Sequence, residues 1–323
     1  MFENLPVRIV RRAVQCVFAL GCVYVGWRFV LFLEWTVNPQ APFVPRPGGV
    51  EAFLPIAALA GLKNLLLTGG YDFAHPAGLT ILLAALACSF LFRKSFCGFI
   101  CPVGLASDLL GQAGKRTGLS RSAPRLADRM AGAVKYLLLA FFLTSIFVLM
   151  DAASTRQFLA SPYNLTADAH LFKLFLHPSS TFLTVLGVLA VAGLVFRNAW
   201  CRWLCPYGAL LGLLGRVGPC AVTRDADSCD GCQRCRRACP MDIAPGMAFG
   251  SPLCVGCGQC VEACPRPGTL SMRLFTRPVS RFTVLMGSAG LFSAMCLTAM
   301  ALGYWDSSLP AAMLRSLYAQ VMR

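Results

Sequence analysis

The sequence predicts a mainly α-helical membrane protein that crosses the bilayer about five times and carries a small cysteine-rich domain before the last span. Three observations predict this fold class: a shortage of charge, several long uncharged segments and a dense group of cysteines. Of the 323 residues, 57% are hydrophobic and 13% are charged, whereas an ordinary soluble domain has about 25% charged residues. So little charge cannot cover a globule of this size, and the missing polar surface indicates contact with membrane lipid.

Five segments approach or exceed the roughly 20 apolar residues that cross a hydrocarbon core. They are Ala13–Leu33, Ala74–Phe92, Tyr136–Met150, Pro178–Phe196 and Phe282–Trp305. The third is short, but we expect Lys135 at its edge to extend to the interface, so that the preceding residues enter the membrane. The apolar segment Phe53–Leu67 is too short for a span and contains Lys63. We therefore expect an interfacial or re-entrant helix there.

The distribution of charge predicts the orientation in the membrane. The net charge is +15, and the loop between the second and third predicted spans carries eight basic and two acidic residues. The loops Glu34–Asp72 and Asp151–Lys173 are nearly balanced. By the positive-inside rule, the N-terminus, the basic loop and the cysteine-rich domain are cytoplasmic, and the tail Asp306–Arg323 is periplasmic. The basic excess therefore indicates membrane orientation, and we expect no nucleic-acid partner.

Eight of the 17 cysteines form two adjacent runs with the same spacing, C-x2-C-x2-C-x3-C-P. The first run is Cys229, Cys232, Cys235 and Cys239, and the second is Cys254, Cys257, Cys260 and Cys264. This spacing is typical of bacterial ferredoxins with two [4Fe–4S] clusters, in which the fourth cysteine of each run binds the other cluster. The predicted iron ligands are Cys229, Cys232, Cys235 and Cys264 for cluster 1, and Cys254, Cys257, Cys260 and Cys239 for cluster 2. Zinc sites would instead show paired C-x2-C knuckles.

The first four predicted spans contain a duplication. Cys97-x3-Cys101-Pro102 closes the second span, and Cys201-x3-Cys205-Pro206 closes the fourth, 104 residues later. His75-Pro76 opens the second span, and His177-Pro178 opens the fourth. The fold class is thus a polytopic helical protein with a duplicated helix pair and an inserted cytoplasmic two-[4Fe–4S] ferredoxin-like domain. We expect residues 1–220 to form the four-span core, 221–275 the two-cluster domain, and 276–323 the fifth span and outer tail.

The duplicated motif has a chemical interpretation. Cysteines four residues apart on a helix share one face, and the following proline suits the first turn of a new helix. Two such motifs related by a pseudo-two-fold axis could bring four thiolates together, which is a ligand set for zinc or an iron–sulfur cluster. Nearby basic residues would favour thiolate over thiol; they are Arg93, Lys94, Arg197 and Arg202.

Several assignments stay open from the residues alone. The four cysteines of the duplicated motif could hold a third cluster, bind another metal, or be reduced thiols at a tight joint between helices. His75 and His177 could be interfacial polar residues, or they could contact quinone or ligate haem.

The combination of two Cys-x3-Cys-Pro motifs after alternate spans with two ferredoxin-type runs resembles the membrane ferredoxin-type proteins of the NapH/MauN kind, which are related to the membrane parts of NosR and CcoG. The resemblance covers roughly residues 1–275. It implies a protein of the bacterial inner membrane that takes electrons from the quinol pool and passes them to a partner redox protein. The predicted fifth span departs from NapH-type proteins, so the pathway stays open.

The leading hypothesis is an electron-transfer subunit of a quinol dehydrogenase, with electrons relayed through the duplicated motif and the two ferredoxin-type clusters. One alternative is a maturation factor that reduces or transfers copper for a respiratory enzyme, and another is a redox sensor. The chain has no nucleotide-binding glycine-rich loop after a strand and no convincing catalytic triad. We therefore expect neither direct NAD chemistry nor hydrolysis.

Overall fold

The computed structural model describes residues 6–243 and 250–322. These residues are mainly helical. The α-helices are α1 Val7–Val37, α2 Pro55–Thr68, α3 Pro76–Phe92, α4 Ser95–Phe99, α5 Pro102–Arg116, α6 Arg125–Leu143, α7 Ala152–Leu159, α8 Pro162–Leu165, α9 Ala167–Leu176, α10 Ser180–Val195, α11 Pro206–Val217, α12 Arg234–Ala238, α13 Gln259–Glu262, α14 Arg281–Ala301 and α15 Ala311–Met322. A 3-10 helix spans Gly48–Phe53, and π-helices span Thr144–Leu149 and Trp200–Leu204. The strands are β1 Cys220–Arg224, β2 Leu270–Leu274 and β3 Arg277–Val279.

The chain divides into two compact units. The cysteine unit comprises residues 1–19, 85–139 and 187–292, and the histidine unit comprises residues 20–84, 140–186 and 293–323. The division falls inside α1, α3, α6, α10 and α14. Each unit therefore draws on residues from more than one of the predicted sequence domains.

The cysteine unit contains an antiparallel sheet in the order β1-β2-β3. Cys220 pairs with Leu274, and Arg224 pairs with Leu270. Alternate residues of β1 and β2 are buried, as the period of two in a strand requires. The buried side chains join one hydrophobic core with residues from the helices and from both cysteine runs; its members include Phe99, Leu211, Val222, Val255, Met272 and Leu285.

The core of the histidine unit is aromatic. Phe29 and Phe32 of α1 pack against Tyr318 of α15, and the ring centroids of Phe32 and Tyr318 lie 5.0 Å apart at an interplanar angle of 81°. Phe29 also meets Phe172 of α9 edge to face at 5.5 Å. Such edge-to-face pairs add stabilisation beyond the burial of apolar area.

Three helices are long and apolar enough to cross a membrane: Val7–Val37, Leu126–Leu149 and Arg281–Ala301. They correspond to the first, third and fifth predicted spans. On α1, Val17, Leu20 and Val23 are exposed, as expected for a helix that contacts lipid. The third candidate span, Leu126–Leu149, is longer than the predicted segment Tyr136–Met150 because α6 begins at Arg125; it continues into the π-helix Thr144–Leu149. Lys135, which we expected to reach the interface, is instead buried.

The other two predicted spans have different forms. Pro76–Phe92 is an apolar helix of 17 residues, shorter than the candidate membrane helices. Ala167–Leu176 and Ser180–Val195 pass the membrane criterion together but are bent by 83°, around Pro178. The described residues therefore contain three candidate spans, or up to four with the bent pair counted as one. The predicted number of five stays a prediction.

The segment Phe53–Leu67, expected as an interfacial or re-entrant helix, forms α2, which has 14 residues. Lys63 on this helix is buried, and its ammonium group donates to the carbonyl oxygens of Ile146, at 2.8 Å, and of Met150. These acceptors explain how an apolar helix accommodates a lysine. Its placement relative to the bilayer stays a prediction.

Candidate metal centres

The two Cys-x3-Cys-Pro motifs form equivalent joints between helices. Cys101 precedes α5 and Cys205 precedes α11, and both have extended backbones, with φ/ψ of −65°/122° and −73°/105°. The following proline occupies the first turn of the new helix in each copy, as the sequence predicted. The stretches with the first cysteines differ, because Cys97 lies in the short helix α4 whereas Cys201 lies in a π-helix.

Glycines show that the two copies pack reciprocally. A Cβ atom on Gly114 of α5 would lie 1.8 Å from the carbonyl oxygen of Leu194, and one on Gly218, after α11, would lie 1.8 Å from that of Phe90. The two members of each pair are exchanged by the 104-residue offset of the repeat. Each helix that follows one motif therefore packs against the chain that leads into the other motif. This is the contact pattern of a pseudo-two-fold axis.

The structure brings the four cysteines of the duplicated motif together. Cys97 and Cys201 are buried, and negative charge on Cys101 or Cys205 acts on both of them. Burial raises the pKa of Cys97 well above its usual value and that of Cys201 to about 12, although the positive charge of Lys94 opposes the shift. Lys94 thus favours the thiolate forms, as expected of a nearby basic residue, but desolvation outweighs this attraction and favours the thiols.

Lys94 is the most informative neighbour of this site. It is 1% exposed, and its Nζ atom has no hydrogen-bond partner among the residues that the structure describes. This atom lies 2.9 Å from the position that a Cβ atom on Gly208 would occupy, beside Cys205. Lys135 is also buried, within electrostatic range of Lys94, Cys201 and Cys205. Buried charges without partners are costly, so two ammonium groups beside four thiols fit a thiolate-bound metal group of net negative charge.

Cysteines of the two ferredoxin-type runs lie near one another. Cys229, Cys232 and Cys235 of the first run line one cavity with Cys264 of the second run. The remaining cysteine of the first run, Cys239, lies within electrostatic range of the other three cysteines of the second run; these are Cys254, Cys257 and Cys260. Each predicted ligand set is therefore gathered in one place. Among the described residues, no three Cys, His, Asp or Glu side chains already converge in metal-ligand geometry, and binding by these sets stays a prediction.

The second run contacts the first Cys-x3-Cys-Pro motif. A Cβ atom on Gly98, which follows Cys97, would lie 3.0 Å from Val255, and one on Gly256 would lie 2.8 Å from the carbonyl oxygen of Phe92. The absence of side chains at both glycines allows the two backbones to approach. The carbonyl oxygen of Gly98 is held by Arg11 at 3.0 Å. The site of the duplicated motif and that of cluster 2 are therefore neighbours.

The second copy of the motif is tied to the end of the first run. The Asn198 side chain donates to the carbonyl oxygen of Pro240 at 2.9 Å, and Arg197 donates to that of Cys239 at 3.4 Å. In the first copy, Arg93 donates to the carbonyl oxygen of Ser251 at 3.0 Å, just before the second run. Residues that precede both motifs thus anchor the ferredoxin-type segment.

The two histidines of the repeat have different environments. His75 is 1% exposed; its Nε2 atom lies 2.7 Å from the carbonyl oxygen of Asn164, and its Nδ1 atom lies 3.4 Å from Glu51 Oε1 and 3.2 Å from Arg46 Nη2. His177 is exposed and follows the last turn of α9. Equivalent positions in the sequence therefore did not produce equivalent sites.

His75 belongs to a buried charge network that the sequence did not reveal. Arg46 bonds Glu51 at 2.5 Å and Asp168 at 2.8 Å, and the Tyr318 hydroxyl donates to Asp168 at 2.7 Å. Burial alone would lower the pKa of Arg46, but the two carboxylates hold it well above its usual value. The presence of acidic residues in loops of an apolar chain was a signal for this network. Their partners lie far apart in the sequence and could not be assigned.

Family models match both cysteine-rich regions. A model described as a 4Fe-4S binding domain matches residues 74–120 and 178–220, which contain the two Cys-x3-Cys-Pro motifs. A model described as a 4Fe-4S dicluster domain matches residues 221–265, which contain the two ferredoxin-type runs. The chain is therefore an iron–sulfur protein of the 4Fe-4S-binding class.

Curated relatives identify the kind of iron–sulfur protein. The chain is 39% identical over 237 residues to the putative electron transport protein YccM of Escherichia coli, covering 72% of this chain and 66% of YccM. It is 33% identical over 191 residues to the methylamine utilization ferredoxin-type protein MauN of Paracoccus denitrificans, covering 57% of this chain and 62% of MauN. It is 29% identical over 192 residues to the ferredoxin-type protein NapH of Escherichia coli, covering 58% of this chain and 59% of NapH.

The chain belongs to the NapH/MauN-type ferredoxin-like proteins. It spans less than two thirds of the length of these three relatives. No solved structure matches it.

Proposed function

We propose that this iron–sulfur electron-transport protein takes electrons from quinol in the membrane and passes them to a partner redox protein. We further propose that it lies in the bacterial inner membrane, with the N-terminus and the ferredoxin-like domain in the cytoplasm and the C-terminus in the periplasm. The charge distribution of the loops supports this orientation. The three candidate membrane helices support a membrane location.

Three sites would hold the clusters. Cys229, Cys232, Cys235 and Cys264 would hold cluster 1, and Cys254, Cys257, Cys260 and Cys239 would hold cluster 2. The four cysteines of the duplicated motif, Cys97, Cys101, Cys201 and Cys205, would hold a third. The match of a 4Fe-4S model to this region and the buried ammonium groups of Lys94 and Lys135 favour a cluster over plain thiols. A bound cluster supplies one-electron transfer at a potential set by its ligands and surroundings.

The contact between Gly98 and Val255 is the main observation that supports electron transfer between the duplicated motif and the ferredoxin-type sites. It joins the segment between Cys97 and Cys101 to the loop between Cys254 and Cys257, so the two proposed cluster sites would be neighbours through the backbone. Cys239 and Cys264 then link the two ferredoxin-type sites, because each belongs to one run and lies with the other. These residues would position three one-electron sites in sequence within the cysteine unit.

Anaerobic purification followed by electron paramagnetic resonance tests this proposal. We expect iron and sulfide at about twelve each per chain, and cluster signals that appear on addition of decylubiquinol. Cys97→Ser/Cys201→Ser should abolish reduction by the quinol and leave reduction of the ferredoxin-type clusters by dithionite intact. The matched control is Cys16→Ser/Cys22→Ser, which changes two cysteines of α1 outside the motifs and runs.

Two results would contradict the proposal. Iron well below about eight per chain would exclude two ferredoxin-type clusters. Unchanged quinol-dependent reduction in the Cys97/Cys201 variant would remove the duplicated motif from the electron path. Stoichiometric copper at this motif would favour a role in copper maturation instead.

A further inference from the structure

A group of basic side chains lies beside the first ferredoxin-type run. We call it the basic patch, and its members are Arg8, Lys115, Arg197, Arg234 and Arg237. Arg8, Arg234 and Arg237 line one surface cavity. Arg8, Lys115, Arg234 and Arg237 are exposed. The basic patch lies entirely within the cysteine unit.

Hydrogen bonds connect the basic patch to Cys232. Lys115 and Arg197 both donate to the carbonyl oxygen of Arg237, at 3.4 and 3.5 Å, and the Arg237 guanidinium donates to the carbonyl oxygen of Cys232 at 3.2 Å. Of the eight cysteines in the two runs, only Cys232 is exposed. The basic patch therefore surrounds the point at which the cluster 1 site comes closest to solvent.

The positive charge of the basic patch is only partly neutralised by the described residues, because one member, Arg197, pairs with Asp242 at 3.7 Å. The pKa of Lys115 is lowered, first by burial and then by repulsion from Arg197 and Arg8; Asp108 and Asp242 only partly oppose this. Asp108 binds Arg11 and Arg12, which lie outside the basic patch, and Asp242 is shared between Arg197 of the basic patch and Arg236.

The remaining acidic residue at the cavity is Glu262. One of its carboxylate oxygens accepts from the backbone of Val7 at 3.1 Å and lies 3.6 Å from Arg281. Asp230 accepts from the backbone of Cys232 and lies 3.7 Å from Arg266, so Asp242 is the acidic group that pairs with the basic patch, through Arg197. The other members keep their positive charge, and an external anion would relieve the repulsion among them.

We propose that the basic patch docks an acidic one-electron redox protein, and that the site of Cys229, Cys232, Cys235 and Cys264 is the point of electron exit. This rests on the proposed function. One electron leaves this site and enters the acceptor's redox centre, and no bond forms or breaks. Complementary charge accelerates encounter and orients the partner, and the exposed Cys232 shortens the path for the electron. An anionic lipid would use the charge but not this exposure.

Stopped-flow mixing tests the docking independently of quinol. The full-length protein, reduced with dithionite and freed of excess reductant, is mixed with the acidic soluble domain of cytochrome b5 or with basic cytochrome c. With cytochrome b5, we expect the second-order rate constant to fall as salt increases from about 0.01 to about 0.3 M. Arg234→Glu/Arg237→Glu should lower it at least about tenfold at low salt and should speed the reaction with cytochrome c.

The matched control is Arg273→Glu/Arg277→Glu, which reverses two exposed charges on β2 and β3 of the same unit. It should change each rate constant less than twofold. Equal effects of the two double variants, or no salt dependence with cytochrome b5, would overturn the proposal. So would loss of the charge effect when the protein is placed in nanodiscs of anionic instead of zwitterionic lipid, because the basic patch would then bind the membrane.

This experiment and the quinol experiment fail in different ways. A protein whose clusters are not reduced by quinol contradicts the proposed donor but can still transfer electrons after dithionite reduction. If quinol reduces the protein but the rate constant for electron transfer to the acceptor does not depend on charge, only the proposed docking surface is contradicted.

Discussion

The two units bury charge in different ways. In the histidine unit, Arg46 lies between Glu51 and Asp168, so the charges of this network are paired, although the Oδ2 atom of the buried Asp72 has no hydrogen-bond partner among the described residues. In the cysteine unit, the buried Lys94 ammonium has no hydrogen-bond partner among the described residues and lies near Cys97, Cys201 and Cys205. A buried charge that is fully paired needs no ligand, whereas one without a partner indicates that a ligand of opposite charge belongs there. The comparison therefore separates a structural network from a candidate metal site.

The largest expected effect comes from breaking the network of the histidine unit. Arg46→Met leaves Glu51 and Asp168 buried without their cation, and we expect the free energy of unfolding to fall by about 3–5 kcal/mol. Denaturant unfolding in detergent measures it. The control is Arg156→Met, an exposed arginine of the same unit, which should change stability by less than about 0.5 kcal/mol. Equal losses in the two variants would show that the network is not stabilising.

The cysteine unit should be more sensitive to backbone spacing than to charge. Gly114→Ala forces a methyl group to within 1.8 Å of the Leu194 carbonyl oxygen, and we expect a loss of about 1–3 kcal/mol from overpacking. Gly111→Ala on the same helix is the control, because its methyl group would lie 3.6 Å from Arg197 Cα. That change should stabilise the helix by about 0.5–1 kcal/mol. Thermal unfolding of both variants tests the reciprocal packing. An unchanged melting temperature in Gly114→Ala would contradict it.

Lys94→Met tests the meaning of an unpaired buried charge. In the loaded protein, loss of this cation should lower the equilibrium constant for reduction of the neighbouring cluster about tenfold, which is about 59 mV for a one-electron couple. In the metal-free protein, it should leave the melting temperature unchanged or raise it, because a costly buried charge disappears.

Potentiometric titration followed by electron paramagnetic resonance gives the midpoint potential for this comparison. Lys115→Met, a change of an exposed lysine on α5, is the control and should shift this potential much less. An unchanged midpoint in Lys94→Met, or lower stability of the metal-free variant, would mean that Lys94 has a structural role only.

The smallest effect is expected at His177, the exposed histidine of the repeat. His177→Ala should change stability by less than about 0.5 kcal/mol, because this side chain is exposed. His75→Ala removes hydrogen bonds inside the buried network and should cost about 1–3 kcal/mol. Denaturant unfolding compares them, and equal costs would contradict the difference in environment that the structure shows.

The sequence alone determined the features that depend on spacing and composition. The C-x2-C-x2-C-x3-C-P runs, the 104-residue duplication and the apolar segments are local patterns, and the predicted exchange of Cys239 and Cys264 between ligand sets rests on the run spacing. Three apolar segments did become candidate membrane helices. Their identification needs no knowledge of distant contacts, because a helix satisfies its own backbone and a cysteine run sets its own ligand order.

Only the tertiary structure decided which charges meet. Arg46 and Asp168 are 122 residues apart in the chain, and nothing in either local segment reveals the pairing. Neighbours from distant segments also decide that His75 is buried and His177 exposed. They likewise bury Lys94 and Lys135 beside the cysteines. The physical reason is that burial and electrostatic environment are properties of the packed chain. They set the protonation and the pairing of a charged residue, and neighbouring residues in the sequence do not determine them.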